Sequence, residues 1–132
     1  MKGSGEALLE AEAESLATAA RRLRGIRLVT ATFGERQVKE IGALAEKLCK
    51  RWDCVVLFGV AGEAATLLFS RTAGLEPDMK ELIGLAVELL GGKGGGRPDR
   101  AQGGGSFVDR LEKALSAAGE QLARTLGQEG DS

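Results

Sequence analysis

The chain has 132 residues, of which 43% are hydrophobic and 28% are charged, and its formal net charge at pH 7 is −1. These values predict one globular domain and exclude a chain that is disordered throughout. Because histidine is absent, the most common general base and most zinc chemistry are excluded, so we expect no catalytic residues, no metal site and no cofactor. A net charge near zero means that binding to nucleic acid would need a local basic patch.

The first 25 residues are acidic and carry a regular apolar pattern. Apolar residues repeat with alternating spacings of four and three, at Leu9, Ala13, Leu16, Ala20 and Leu23. This heptad pattern predicts a helix over residues 5 to 24, with Arg21, Arg22 and Arg24 suited to its C-terminal end. The start is too acidic for a signal peptide and no apolar run is long enough to span a bilayer, so we expect a cytoplasmic protein without a membrane partner.

The middle of the chain alternates between strand and helix patterns. Residues 26 to 33 are rich in β-branched side chains and predict a strand. An amphipathic helix is predicted over residues 35 to 52. Its solvated face is expected to carry the cationic residues Arg36, Lys39, Lys47, Lys50 and Arg51. Two apolar runs, residues 54 to 60 and 64 to 71, predict a buried antiparallel hairpin.

Two further helices complete the predicted fold. Asp78 is suited to cap a helix over residues 79 to 90, and Ser106 is suited to cap a final helix that contains Val108 and Leu122. A strand, a helix and a second strand in succession predict a parallel crossover. The fold class is therefore α/β with α+β character: a small mixed sheet covered by helices, an N-terminal heptad helix and a glycine-rich loop before the last helix.

The glycine-rich stretch GGKGGGRPDRAQGGG, residues 91 to 105, does not match the common nucleotide-binding motifs. A Walker A loop follows a strand and has Ser or Thr after its lysine, whereas Lys93 is followed by glycine and the stretch follows a predicted helix. The dinucleotide-binding pattern requires glycine where Arg97 or Asp99 stands here. A flexible linker is disfavoured by the apolar helices on both sides and by the rigid Pro98.

Anion binding is the function that the composition of this stretch favours. Glycine adds no side chain, so the backbone can come close to a ligand, and consecutive amides in glycine turns form nests for anions. Lys93, Arg97 and Arg100 would supply the charge, which makes phosphate the expected guest.

The same stretch resembles the glycine-rich signature of the DHH-associated domain, in the version that closes alanyl-tRNA synthetases. That signature runs G-G-x-G-G-G-[RK]-x-x-x-A-Q-x-G-G, and a phosphoesterase branch has histidine where this sequence has Arg97. The resemblance covers nearly the whole chain. It implies that residues 1 to 25 end a helical linker, that residues 26 to 127 form a DHH-associated α/β domain, and that residues 128 to 132 form a frayed tail.

The resemblance implies a non-catalytic domain that binds alanine tRNA near its elbow and supports aminoacylation and editing by other domains of the synthetase. Together with the glycine context, it predicts the RNA-binding residues Lys93, Gly94, Gly95, Gly96, Arg97, Arg100, Gln102, Gly103 and Gly104. For Arg21, Arg22, Arg24 and Arg27, an extension of this basic track and capping of the first helix remain equal alternatives.

Aromatic and thiol side chains are expected to be structural. Trp52 and Phe107 could stack on unpaired bases, but core packing is favoured for both. Phe33, Phe58 and Phe69 lie in strand patterns and are expected to be buried. The two cysteines, Cys49 and Cys54, are interpreted as reduced structural thiols.

Two other functions compete with tRNA binding. In an assembly module, the heptad helices at the two ends would pair between protomers to form a homodimer, and the glycine stretch would be only structural. A phosphoesterase fragment would need metal-binding histidines and clustered aspartates, and the sequence has neither.

Overall fold

The computed structural model describes residues 2 to 126, with side chains from residue 8 onward. The elements in chain order are α1 (Lys2–Ala19), β1 (Arg21–Leu23), β2 (Ile26–Gly34), α2 (Val38–Arg51), β3 (Cys54–Ala61), β4 (Ala65–Arg71), α3 (Met79–Leu90), β5 (Lys93–Gly96), β6 (Arg100–Gly105) and α4 (Leu111–Leu126). A single 3₁₀ turn, Val108–Arg110, precedes α4. The predicted tail, residues 128 to 132, lies outside the described residues.

Within the described residues the strands form one mixed sheet in the order β1-β2-β3-β4-β6-β5. β2 and β3 are parallel and are joined through α2, and the other neighbours are antiparallel. Helices α1 and α2 pack on one face, around Val56, Phe58 and Leu68. Helices α3 and α4 pack on the other face, around Leu57 and Phe69. The predicted α/β class, the parallel crossover and the β3–β4 hairpin are confirmed.

The predicted end of the first helix is wrong. α1 ends at Ala19, and residues 21 to 23 turn back as an edge strand that pairs with β2. Arg24 and Gly25 both have positive φ, 55° and 82°, which allows the two-residue turn of a tight hairpin. The cation at the helix end is Arg27, whose Nη1 donates to the carbonyl of Ala17 at 2.8 Å. The three earlier arginines therefore lie beyond the last turn of α1, on β1 and in the turn that follows it.

The cationic face of α2 is not simply solvated, because part of it pairs with acidic residues of α1. Arg36 contacts Glu12 at 2.7 Å and Glu40 at 2.9 Å, and these two hydrogen bonds raise the pKa of the guanidinium. Further ion pairs between the helices join Lys47 to Glu10 and Arg51 to Glu10 and Glu14. Partly exposed ion pairs contribute little individually. Burial of Ala13 and Ala17 against α2 and the sheet completes the docking of α1.

The predicted caps and aromatic positions have mixed outcomes. Asp78 caps α3, since its carboxylate accepts hydrogen bonds from the amides of Lys80 and Glu81. Ser106 does not cap the last helix, which begins instead from the 3₁₀ turn. Phe58 and Phe69 are buried as predicted. Phe33 and Trp52 are only half-buried.

Between residues 2 and 126, no helix has the length and apolar character needed to cross a bilayer.

Gly84 offers a test of the α3 assignment. It lies in the middle of α3, it is exposed, and a Cβ built there meets no heavy atom of the described residues within 4 Å. Since alanine is favoured over glycine in a helix interior, we expect Gly84→Ala to raise the free energy of unfolding by about 0.5–1 kcal/mol. Urea denaturation of the two proteins measures this difference. A loss of stability would contradict the placement of Gly84 in an exposed helix.

Candidate nucleic-acid interface

The glycine-rich stretch is a β-hairpin, so its prediction as a loop is wrong. β5 pairs with β6 from Lys93 opposite Gly104 to Gly96 opposite Ala101. The amide and carbonyl of Arg97 bond to the carbonyl and amide of Arg100 at 2.8 and 3.2 Å. This pairing closes a two-residue turn. Consecutive amides of an extended strand point in alternating directions, so the predicted nest of neighbouring amides does not form.

The turn of this hairpin is fixed to the body of the domain. The carbonyl of Pro98 accepts a hydrogen bond from the amide of Met79 at 2.8 Å, and the carbonyl of Asp99 accepts one from the amide of Arg71 at 3.0 Å. The Arg71 side chain in turn donates to the carbonyl of Pro77. The hairpin is thus held at its tip as well as along β4, which makes it a rigid surface rather than a linker.

On one face of the hairpin, glycine is required for close packing against α3. A Cβ at Gly103 would lie 2.7 Å from Cγ1 of Val87, and a Cβ at Gly94 would lie 3.2 Å from the same atom. A Cβ at Gly105 would fall on the carbonyl oxygen of Leu90. These glycines have a structural role that sequence reasoning did not assign to them.

The opposite face of the hairpin lies on the α2 side of the sheet. Lys93 pairs with Gly104 and Gly95 pairs with Gln102, and Arg100 precedes Gln102 by two residues, so all five lie on one face. We call this surface the glycine shelf: Lys93, Gly95, Arg100, Gln102 and Gly104. The structure therefore divides the predicted RNA-binding set, because Gly94, Gly96 and Gly103 belong to the other face.

Two cations, Lys93 and Arg100, lie on the glycine shelf, and a third, Arg97, lies beside it. Arg100 lies on the side of the shelf that faces α2, and its guanidinium is half-buried against Gly42 of that helix. A side chain at position 42 would place its Cβ only 2.7 Å from Nη2 of Arg100, so glycine there leaves room for the guanidinium. Lys93 is exposed at the start of β5. Arg97 lies in the turn with 77% of its side chain exposed, and its Nε is 3.7 Å from Asp99. Three cations that were predicted from sequence thus lie along one edge of the sheet, on β5, β6 and the turn between them.

The floor of the shelf is open at Gly95. A Cβ built at Gly95 meets no heavy atom of the described residues within 4 Å. A shallow cavity of about 320 Å³ opens there, lined by Gly95, Gly96, Arg97, Arg100, Ala101 and Gln102. A glycine backbone without side chains lets a phosphodiester come close, and the neighbouring guanidinium groups can neutralise the charge of the phosphate.

Phe107 was expected in the core, but it is exposed. Its relative exposure is 45%, and the guanidinium of Arg110 lies 4.9 Å from the ring centroid. The ring packs beside Gly91, which ends α3 with φ of 66°. The regular apolar positions of the last helix begin at Val108, one residue after Phe107. Because Phe107 is not part of that pattern, the sequence already indicated that it lies outside the core. It remains a candidate for base stacking.

The two arginines of β1 do not join the glycine shelf. Arg21 and Arg22 are exposed on β1, at the opposite edge of the sheet from β5. Across residues 2 to 126, no group of three His, Cys, Asp or Glu residues lies close enough to hold a metal ion.

The chain belongs to the DHHA1 domain family, whose profile matches residues 25–124. It is 34% identical over 117 residues to the alanine–tRNA ligase of Dechloromonas aromatica, a match that covers 83% of this chain and 13% of the ligase. The alanine–tRNA ligase of Idiomarina loihiensis is 32% identical over 108 residues, covering 79% of this chain and 12% of the ligase. The chain thus spans about an eighth of the length of these relatives.

Solved structures agree with this assignment. The C-Ala domain of Aquifex aeolicus alanyl-tRNA synthetase superposes with a TM-score of 0.69 and 27% identity, covering 81% of this chain and 96% of that domain. RecJ from Thermus thermophilus shares the fold with a TM-score of 0.63 but only 17% identity. The chain is therefore homologous to the C-terminal domain of alanyl-tRNA synthetase, as its glycine signature suggested.

Proposed function

We propose that this chain is a non-catalytic tRNA-binding domain, which acts as the C-terminal part of an alanyl-tRNA synthetase in the cytoplasm. It would hold alanine tRNA near the elbow, so that the acceptor end reaches the domains that carry out aminoacylation and editing. The observation that carries the proposal is the glycine shelf, with Lys93, Arg97 and Arg100 around an open backbone floor, in a homologue of the C-Ala domain.

The shape of the shelf supports recognition of the RNA backbone. Arg100 is held in place by packing against α2, while Lys93 and Arg97 extend into solvent, so one fixed and two adaptable cations can follow a curved phosphate chain. Gln102 is exposed on the same face and offers both a donor and an acceptor to a ribose hydroxyl or a base edge. Binding of this type depends on shape and phosphate neutralisation more than on base sequence.

Titration of labelled alanine tRNA with the chain at low and moderate salt tests the proposal. Affinity is expected to fall as salt rises, because each neutralised phosphate releases counterions. An unrelated tRNA gives the contribution of general phosphate binding. Absence of binding at low salt, or binding that does not respond to salt, would contradict the proposed function.

A second candidate function, assembly of two copies, has one observation in its favour. Leu8 of α1 is 71% exposed, which is unusual for a large apolar side chain. Sedimentation of the chain at several concentrations, with Leu8→Ala as the comparison, separates the two functions. A tight dimer without RNA affinity, weakened by Leu8→Ala, would favour assembly.

Two open glycines provide a matched pair of variants for the shelf. Gly95 and Gly84 each have room for a Cβ, and they lie on the hairpin and on α3, respectively. Gly95→Glu places a negative charge in the floor, so we expect it to weaken tRNA binding by roughly tenfold, corresponding to about 1.4 kcal/mol. Gly84→Glu makes the same change of charge elsewhere and is expected to leave affinity nearly unchanged. Equal effects in tRNA titrations would mean that only net charge matters.

A further inference from the structure

The two cysteines form a close pair between the end of α2 and the start of β3. Cys49 and Cys54 are both free thiols, and their sulfur atoms lie 3.8 Å apart. The pair lies on the α2 face of the sheet, and the hydroxyl of Ser70 on β4 lies 3.8 Å from the sulfur of Cys49. Formation of a disulfide would bring the two sulfur atoms from 3.8 Å to a bond length of about 2.05 Å.

The surrounding backbone holds the pair in position. The hydroxyl of Thr72 accepts a hydrogen bond from the amide of Cys54 at 3.0 Å and lies 2.8 Å from the carbonyl of Trp52. It is also 3.2 Å from the carbonyl of Cys49. One side chain thus fixes the short connection between the helix and the strand that carries both thiols.

The two thiols differ in chemical character. The pKa of the Cys49 thiol is lowered, chiefly by the hydrogen bond that Cys54 donates to its sulfur, and the hydroxyls of Ser70 and Thr72 and the charge of Arg100 act in the same direction. The pKa of Cys54 is raised, because its proton is held in the bond to Cys49 and because the thiol is buried. Cys49 therefore has the greater thiolate character, which is the reactive form of cysteine.

Exposure distinguishes the thiols in the same way. Cys49 is half-buried, whereas Cys54 has a relative exposure of 0%. Cys49 is therefore the more accessible residue of the pair, while buried Cys54 has the sulfur of Cys49 as its neighbour. This is the arrangement expected of an attacking thiol and a resolving thiol.

We propose that Cys49 and Cys54 form an oxidisable dithiol site whose substrate is a hydroperoxide. The Cys49 thiolate attacks the peroxide, the O–O bond breaks, and Cys49 becomes a sulfenic acid while the leaving oxygen takes up a proton as water or alcohol. The Cys54 sulfur then attacks the Cys49 sulfur. The S–O bond breaks, the Cys54 proton leaves with that oxygen as water, and an intramolecular disulfide forms. The two thiols lose two electrons in total, and the peroxide gains them.

This site does not depend on the proposed tRNA function. Arg100 contributes charge to Cys49, but the pair is built by α2, β3 and β4 and not by the hairpin of β5 and β6. A chain that does not bind tRNA could still form the disulfide, and a chain that does not form the disulfide could still bind tRNA.

The test is treatment of the full chain with hydrogen peroxide, followed by mass spectrometry and thiol counting. The expected product has lost two hydrogen atoms, has no thiol that reacts with a maleimide after unfolding, remains a monomer, and regains both thiols on reduction. A wild-type chain that keeps both thiols, gains oxygen without losing hydrogen, or joins a second chain would overturn the proposal.

Single variants assign the two roles. Cys54→Ala is expected to stop at a Cys49 sulfenic acid, which dimedone traps, and Cys49→Ala is expected to keep its remaining thiol under the same treatment. Equal reactivity of the two variants would overturn the assignment. Circular dichroism of each variant establishes that it is folded, and the wild-type measurement keeps the proposal testable if either variant is not.

Discussion

Replacement of Lys93, Arg97 and Arg100 together by alanine is expected to lower the affinity for alanine tRNA by at least about tenfold at low salt. Lys93 and Arg100 lie on the glycine shelf and Arg97 lies beside it, with its Nε 3.7 Å from the carboxylate of Asp99. Each phosphate contact contributes about 0.7 to 0.9 to the slope of log affinity against log salt, so loss of three contacts should reduce that slope by roughly 2 to 3. Fluorescence titration of labelled tRNA over a salt series measures both quantities.

A variant with the same change of charge elsewhere in the domain is the control. Arg22 is exposed on β1, at the opposite edge of the sheet from β5, and Lys113 and Arg124 are exposed on α4, away from the shelf. Their replacement by alanine removes three positive charges but no shelf contact, so we expect only a small, uniform loss of affinity. If both triple variants lost affinity equally, general electrostatic attraction would explain the binding and the shelf would not.

Gly105→Ala is expected to destabilise the fold by about 1–3 kcal/mol or more, the usual result of overpacking. The added methyl would fall on the Leu90 carbonyl, which is fixed at the end of α3 and accepts a hydrogen bond from the amide of Phe107. The nearest atoms are backbone atoms of Leu90, which cannot move aside as the end of a flexible side chain could. Urea unfolding should show a lower midpoint with an unchanged slope.

The matching control is Gly95→Ala in the neighbouring strand. Gly95 has open space around the position of a Cβ, so this variant is expected to keep nearly the wild-type stability. If Gly105→Ala were as stable as Gly95→Ala, the hairpin would not pack against α3 as described. The comparison thus separates glycines required by packing from glycines available to a ligand.

Local signals were sufficient to predict most of the fold. The β3–β4 hairpin follows from two apolar runs with a short connection, and the start of α3 follows from Asp78, whose carboxylate contacts two free amides. Such features depend on neighbouring residues only. The family signature was also readable, because its glycine, Ala-Gln and arginine positions lie within one continuous stretch.

The errors arise where distant parts of the chain decide the local conformation. Glycine has a low intrinsic preference for strands, but here β4 supplies the partner and α3 requires the absence of side chains, so a glycine stretch becomes two strands. Leu23 continues the apolar period of α1, yet the Arg24–Gly25 turn returns it to the sheet. Likewise, the division of the predicted RNA-binding set into two faces needs the strand register, which the sequence pattern did not specify.

The central claim is that tRNA contacts the α2-side face of the β5–β6 hairpin, and titration of isotope-labelled chain with alanine tRNA, followed by amide NMR, tests it most directly. The account predicts that tRNA shifts or broadens the amide signals of Gly95, Arg97 and Gln102, while the signal of exposed Gly84 on α3 stays in place. Changes confined to α3 and α4, with the hairpin signals unchanged, would contradict the claim.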